Sequence, residues 1–212
     1  MNLGEISQSL ITGQVSNIKE LVRLAIDRGI SPQNIVDRGL IPGMDIVGKK
    51  FKANEIYIPE VLLAARAMHA GMDVLKPLVV KIGIKHIGKF AIGTVRGDLH
   101  DIGKNLVSIM MEGAGFEVID LGVNVSPEKF VATVKEHSPQ ILGMSALLTT
   151  TMLLMKSTIR ALERAKLRHS VKIMVGGAPV TQTYADEIGA DGYADDARSA
   201  VEKAKELIQA RI

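Results

Sequence analysis

Two periods divide the chain. From Leu3 to about Val80, apolar residues recur at helical spacing: Leu3, Ile6 and Leu10, then Ile18, Leu21, Val22 and Ala25, a pattern that lines one face of a helix. Gly13 and Gly29 are natural stops. Ser31 ahead of Pro32 reads as an N-cap followed by a first-turn proline, so a third helix should start there and carry Ile35, Val36 and Leu40 inward. A fourth is expected from about Pro59, with Val61, Leu62, Ala65, Met68, Met72 and Leu75 on one face, ending at Pro77. Short connections between such helices predict an antiparallel four-helix bundle over residues 1–85.

The segment Lys81 to Lys89, with two glycines and three lysines, breaks the pattern and reads as a linker. Beyond it the period changes. Phe90 to Val95, Glu117 to Leu121, Gln140 to Ser145, Lys172 to Val175 and a short piece near Tyr193 read as buried strands separated by amphipathic stretches of helical length. Strand alternating with helix predicts an α/β domain over residues 88–212, a doubly wound, flavodoxin-like or Rossmann-like parallel sheet of five strands. In such sheets ligands sit beyond the carboxyl ends of the strands at the topological switch point, which directs attention to the residues after strands one, three and four.

Composition narrows the chemistry. The chain has 212 residues, 47% of them hydrophobic, and no cysteine, so it can bury a core without disulfides and must hold any metal through histidine, carboxylate or a cofactor. The N-terminus lacks a basic and apolar leader, and no apolar run is long enough to cross a bilayer, so a cytoplasmic protein without membrane attachment is expected. The formal charge is +3, aromatics make up 3% and there is no tryptophan. A stacking platform or a basic groove reader for nucleic acid is therefore not expected.

Directly after the first strand comes Gly97-Asp98-Leu99-His100-Asp101-Ile102-Gly103, opening the next helix. Asp98, two residues before His100 on a loop, can fold back as an acceptor that fixes the imidazole's tautomer, as a metal-binding histidine requires. Gly103 allows close approach of a ligand to the backbone. By itself this sequence is also what a capped helix beside a surface histidine would look like. Two further segments stand at fitting places. Ser145, Leu147, Thr149 and Thr151 follow strand three, and the pair Gly176-Gly177 follows strand four. Small hydroxyls and paired glycines both permit a flat group to come near.

Together these segments resemble the signature of cobalamin-binding proteins: the corrinoid proteins of methylamine, methanol and methoxyaromatic methyltransferase systems, and the cobalamin module of methionine synthase. The resemblance implies one cobalamin or related corrinoid per chain, with His100 replacing the cofactor's own benzimidazole as lower axial ligand to cobalt. It implies that Thr151 completes a relay with Asp98 and His100. It also implies that Asp101, Ile102 and Gly103 lie against the cofactor, and that Ser145, Leu147, Thr149, Gly176, Gly177, Tyr193 and Ala194 line the slot for its nucleotide tail. In the bundle, Phe51 and Ile58 match residues that shield the cofactor's upper face. The linker glycines would then let the bundle swing aside.

The function so implied is that of a methyl carrier, not catalytic by itself. A substrate-specific corrinoid methyltransferase would load cobalt, a second methyltransferase would pass the group to a thiol or tetrahydropterin, and a reductive activase would restore the reduced cofactor. The alternative is a cobalamin-sensing regulator acting through protein contacts. The methyl donor is left open by the sequence.

Overall fold

The computed structural model describes residues 2–82 and 85–210, without the side chains of 79–82. The chain divides into two compact units: Met1–His86 with Gly113–Gly115, and Ile87–Glu112 with Phe116–Ile212.

The first unit is helical. Helices α1 (Gly4–Ile11) and α2 (Val15–Asp27) bury Ile6, Leu10, Ile18, Val22 and Ala25, while Leu3 and Leu21, also picked out by the helical period, are half-buried. Ser31 caps α3 (Pro32–Ile35) by accepting the Asn34 N–H. Ile35, Val36 and Leu40 are buried, as the helical period predicts, and the helical path continues beyond Leu40. It passes through a wide π-turn, Val36–Leu40, into α4 (Ile41–Lys52). The cause is Pro42, which has no N–H to donate to the Arg38 carbonyl and whose ring would crowd it in a regular α-helix. The buried Ser7 hydroxyl donates to the Gly39 carbonyl at 2.6 Å, tying α1 to that turn.

Helix α5 spans Ile58–Ile82, capped by the Glu60 carboxylate accepting the Tyr57 N–H at 3.0 Å. The expected end at Pro77 is a misreading: the helix runs on through the proline. Pro77 deprives the Asp73 carbonyl of its partner, but both residues are exposed, so water can serve the carbonyl instead. Of the expected linker, residues 83 and 84 lie outside the described residues; α5 takes in Lys81 and Ile82, and the first strand starts at Lys89.

The second unit is a five-stranded parallel sheet in the order β2-β1-β3-β4-β5, with β1 Lys89–Thr94, β2 Glu117–Asp120, β3 Ile141–Ser145, β4 Lys172–Gly176 and β5 Gly192–Ala194. The connecting helices are α6 (Ile102–Gly113), α7 (Pro127–His137), α8 (Thr149–Arg164) and α9 (Gln182–Ile188), and α10 (Ala197–Gln209) closes the chain. Central strands are buried on both faces, which explains their near-continuous apolar runs. Ala91, Leu142, Met144, Ile173 and Val175 form one core with Met155, Ile159 and Leu162 of α8, while Phe90 lies on the other face, edge-on to Phe116.

Because β2 and β3 flank β1 on opposite sides, the chain reverses direction between β1 and β3. Thr94 pairs with Ser145 at their carboxyl ends, so the loops that follow open side by side there.

Close packing of strand ends accounts for the glycine pair in a way the sequence did not suggest. A Cβ on Gly176 would stand 2.8 Å from the Ala194 carbonyl oxygen, and one on Gly177 would stand 1.9 Å from that of Ala146. Gly177 also has φ +120°, where side chains are strained. Gly177→Ala should therefore lower unfolding free energy by at least about 2 kcal/mol. A urea titration that finds the variant as stable as wild type would contradict this.

Candidate functional site

Asp98 organises the carboxyl end of the sheet. It is fully buried, yet its carboxylate has five donors. Oδ1 accepts the His100 ring Nδ1–H at 2.7 Å and the His100 backbone N–H at 3.1 Å. Oδ2 accepts the Thr151 hydroxyl at 2.6 Å and the backbone N–H groups of Leu147 at 2.8 Å and Leu148 at 3.4 Å. Burial alone would push this carboxyl up. The hydrogen bonds from Thr151, Leu147 and His100 outweigh it and hold Asp98 well below the usual carboxylate range. The Thr151 hydroxyl could also reach the Leu148 carbonyl at 3.0 Å, but it has one proton, and the shorter bond to a charged acceptor prevails.

Asp98 is thus a cap, though not of the helix it precedes. It serves the start of α8, whose partial positive charge further suits a carboxylate. The carboxylate can only accept, so Nδ1 of His100 carries the proton, and in the neutral ring the lone pair lies on Nε2. The His100 side chain is 52% exposed. Around it stand large apolar side chains left in solvent: Leu99 and Ile102, each 71% exposed, with Leu147 at 44% and Leu148 at 43%. An added Cβ on Gly103 would meet nothing within 4 Å, so no packing inside the protein demands glycine there.

This arrangement offers one imidazole to a metal. Among the described residues, no three histidine, aspartate or glutamate side chains gather to hold an ion. The donor set therefore fits a metal whose other positions are filled by its own macrocycle, with the apolar collar and bare Gly103 backbone suited to a large flat ring. A family model described as "B12 binding domain" matches residues 88–202, and a second of the same description matches residues 3–76. The chain belongs to the B12-binding corrinoid proteins.

Within that family, the dimethylamine corrinoid protein of Methanosarcina barkeri is 44% identical over 213 residues, covering 98% of this chain and all of the relative. A corrinoid protein of Desulfitobacterium hafniense is 43% identical, covering 97% of each chain. Among solved structures, the methanol:cobalamin methyltransferase complex of M. barkeri superposes with a TM-score of 0.89 at 29% identity, covering 98% of this chain and 79% of that one. A corrinoid is the cofactor of this protein.

Not every expected corrinoid contact gathers at His100. Asp101 is exposed and accepts a hydrogen bond from the Asn105 side chain at 3.1 Å. Ser145 is half-buried at the end of β3 and Thr149 is exposed in the first turn of α8. Tyr193 is half-buried, packed against the sheet core, beside the buried Ala194. Phe51 is half-buried and Ile58 is 40% exposed, so neither belongs to the bundle's buried core.

Some supporting residues escaped the sequence reading. Thr94 donates its hydroxyl to the His100 carbonyl at 2.9 Å. Asn124, at φ +54°, accepts the Gly97 N–H through its side chain at 2.8 Å and donates its own N–H to the Asp98 carbonyl at 3.0 Å. The only sequence hint is an asparagine, a residue tolerant of positive φ, just after strand two.

The depressed Asp98 carboxyl makes the fold acid-sensitive in a defined direction. A folded value below the ordinary 3.8 means that its contribution is fully present above that value and is lost as pH falls through the folded one. Asp98→Asn turns an amide NH₂ toward donors and should cost about 1 to 3 kcal/mol at neutral pH. Urea midpoints of the two proteins should differ at pH 7 and converge below pH 3.8. A gap that does not narrow as pH falls from 3.8 toward the lower folded value would refute the charged role.

Proposed function

We propose that this corrinoid protein is a methyl carrier: a substrate-specific methyltransferase loads the group, and a second methyltransferase withdraws it for a thiol or a tetrahydropterin. The observation that carries the reading is the exposed imidazole of His100, oriented by a fully buried carboxylate and ringed by solvent-exposed leucine and isoleucine. Relatives named for dimethylamine and trimethylamine and the likeness to a chain of a methanol:cobalamin methyltransferase complex support it.

The bound corrinoid supplies a cobalt ion able to gain and lose a methyl group. The chain supplies everything around it. His100 Nε2 would hold the cobalt, Asp98 keeps the proton on Nδ1, and Thr151 holds Asp98 in turn. The Asp98 carboxylate bonded to Nδ1 would keep the imidazole in this orientation whether or not Nε2 holds the metal. Leu99, Ile102, Leu147 and Leu148, exposed in the free protein, would exclude water from the cofactor's ring. Ser145 and Thr149 would offer their hydroxyls to the nucleotide tail, with Gly176, Gly177, Tyr193 and Ala194 as its surroundings, while Asp101 would lie against the cofactor beside His100. By the family resemblance, Phe51 and Ile58 of the helical unit would be the residues that shield the cofactor's reactive side. A reductive activase would complete the system, operating in the cytoplasm. The methyl donor is chosen by the partner methyltransferase.

Two variants test this. In protein reconstituted with hydroxocobalamin, His100→Ala should abolish the imidazole-coordinated visible spectrum and the nitrogen coupling in electron paramagnetic resonance of the Co(II) form. Persistence of both would remove His100 from the metal. Gly103→Ala separates binding from folding: in the free protein it should be neutral or stabilising by up to about 1 kcal/mol, since its methyl meets open space, while corrinoid affinity should fall. Unchanged affinity would mean that the ring does not approach that backbone.

A further inference from the structure

Lys104 breaks two local rules. It is a cation in the first turn of α6, where the helix dipole disfavours positive charge, and it is only 2% exposed, where an ammonium is costly to desolvate. Its Nζ reaches the Asp120 carboxylate at 2.5 Å and the Asn105 side-chain oxygen at 2.7 Å. Violations of local preference tend to mark functional positions, and the surrounding bonds suggest what this one does.

Asp120 ends β2. Its other oxygen accepts the Gly122 N–H at 2.9 Å, so the same carboxylate shapes the loop that follows. That loop in turn grips the segment bearing His100 at its near end: the Gly122 carbonyl accepts the Thr94 N–H at 3.0 Å, and Asn124 holds Gly97 and Asp98. Lys104 fastens the far end of the segment to the root of that loop. His100 therefore sits on a span held at both ends by one loop, and by Asp98 to α8 from the other side.

We propose that Lys104 is a positioning residue for His100: its ion pair with Asp120 clamps the first turn of α6, so that the imidazole is presented at the distance and angle coordination requires. This rests on the reading of His100 as cobalt ligand. Removing the clamp leaves Asp98, Thr151 and the imidazole intact but lets their segment move, and it shifts bound corrinoid from the histidine-on toward the histidine-off state.

The test uses Lys104→Met and Asp120→Asn in the full chain. Asp120 is 43% exposed, so its variant can hydrate the lost charge and serves if Lys104→Met does not fold. Three readouts are followed: the histidine-nitrogen splitting of the Co(II) form, cobalamin affinity by titration, and hydrogen exchange of the His100 and Asn105 amides in the free protein. The expected result is a mixed histidine-on and histidine-off signal, affinity weakened about tenfold or more, and faster exchange at both amides. The double variant should be no worse than the poorer single, because the two residues act as one unit. If wild type shows the splitting and every folded variant matches it in splitting and affinity, the pair is merely structural and the inference fails, even if melting temperature drops. If wild type itself lacks the splitting, the ligand assignment of His100 fails first.

Discussion

A buried carboxylate with every lone pair occupied is the constraint on which this site depends. Leaving Asp98 charged inside the protein would be prohibitive without partners, and the partners come from two different loops: His100 from its own, and Leu147, Leu148 and Thr151 from the loop and helix after β3. The two loops are locked together by the requirement to satisfy one anion. Any movement of His100 away from its bonded orientation would strip a donor from a group that cannot afford to lose it, so the orientation of the imidazole is fixed by the folding energetics of the domain and needs no ligand to impose it.

Topology makes that interaction possible. The order β2-β1-β3-β4-β5 sets β1 beside both β2 and β3, so a loop leaving β1 can be braced from either flank. The β2 side contributes Asn124 and Asp120, and the β3 side contributes the start of α8. Strand ends must also come close for the loops to meet, and here the glycine pair after β4 finds its reason. Gly176 and Gly177 lie against the carbonyls of Ala194 and Ala146. The role proposed for them in admitting the corrinoid's tail is thereby joined to a structural one: without them the strand ends could not pack.

Much of this was legible in the sequence. Helical and then strand periods located both parts, and Asp98, His100 and Thr151 were picked out before their geometry was known. What the sequence hid has physical reasons. The π-turn arises from a proline whose missing hydrogen bond matters only because the chain continues as a helix on both sides. Pro77 looked like a terminus because helix propensity is local, whereas the exposure that lets the Asp73 carbonyl find water is not. Asn124 and Asp120 were invisible because their partners lie 27 and 16 residues away in sequence, and only the fold makes them neighbours of the His100 loop.

The remaining signal lies in what the protein leaves unsatisfied. Leu99 and Ile102 expose most of their apolar surface, and Gly103 gives up helix stability with no packing in return. Each of these is a small loss for the free protein, of the order of 0.5 to 1 kcal/mol for a helical glycine. They occur next to one another, around an imidazole whose inner nitrogen is engaged and whose outer nitrogen is not. A surface optimised only for folding would have covered the leucines, filled Gly103 and placed an apolar residue where Lys104 is buried. Taken singly each departure is ordinary. Their coincidence on one short segment, which the two neighbouring loops hold rigid, is what a preorganised ligand site requires: a large flat cofactor covering the collar, as proposed, would recover the stability given up in the free protein.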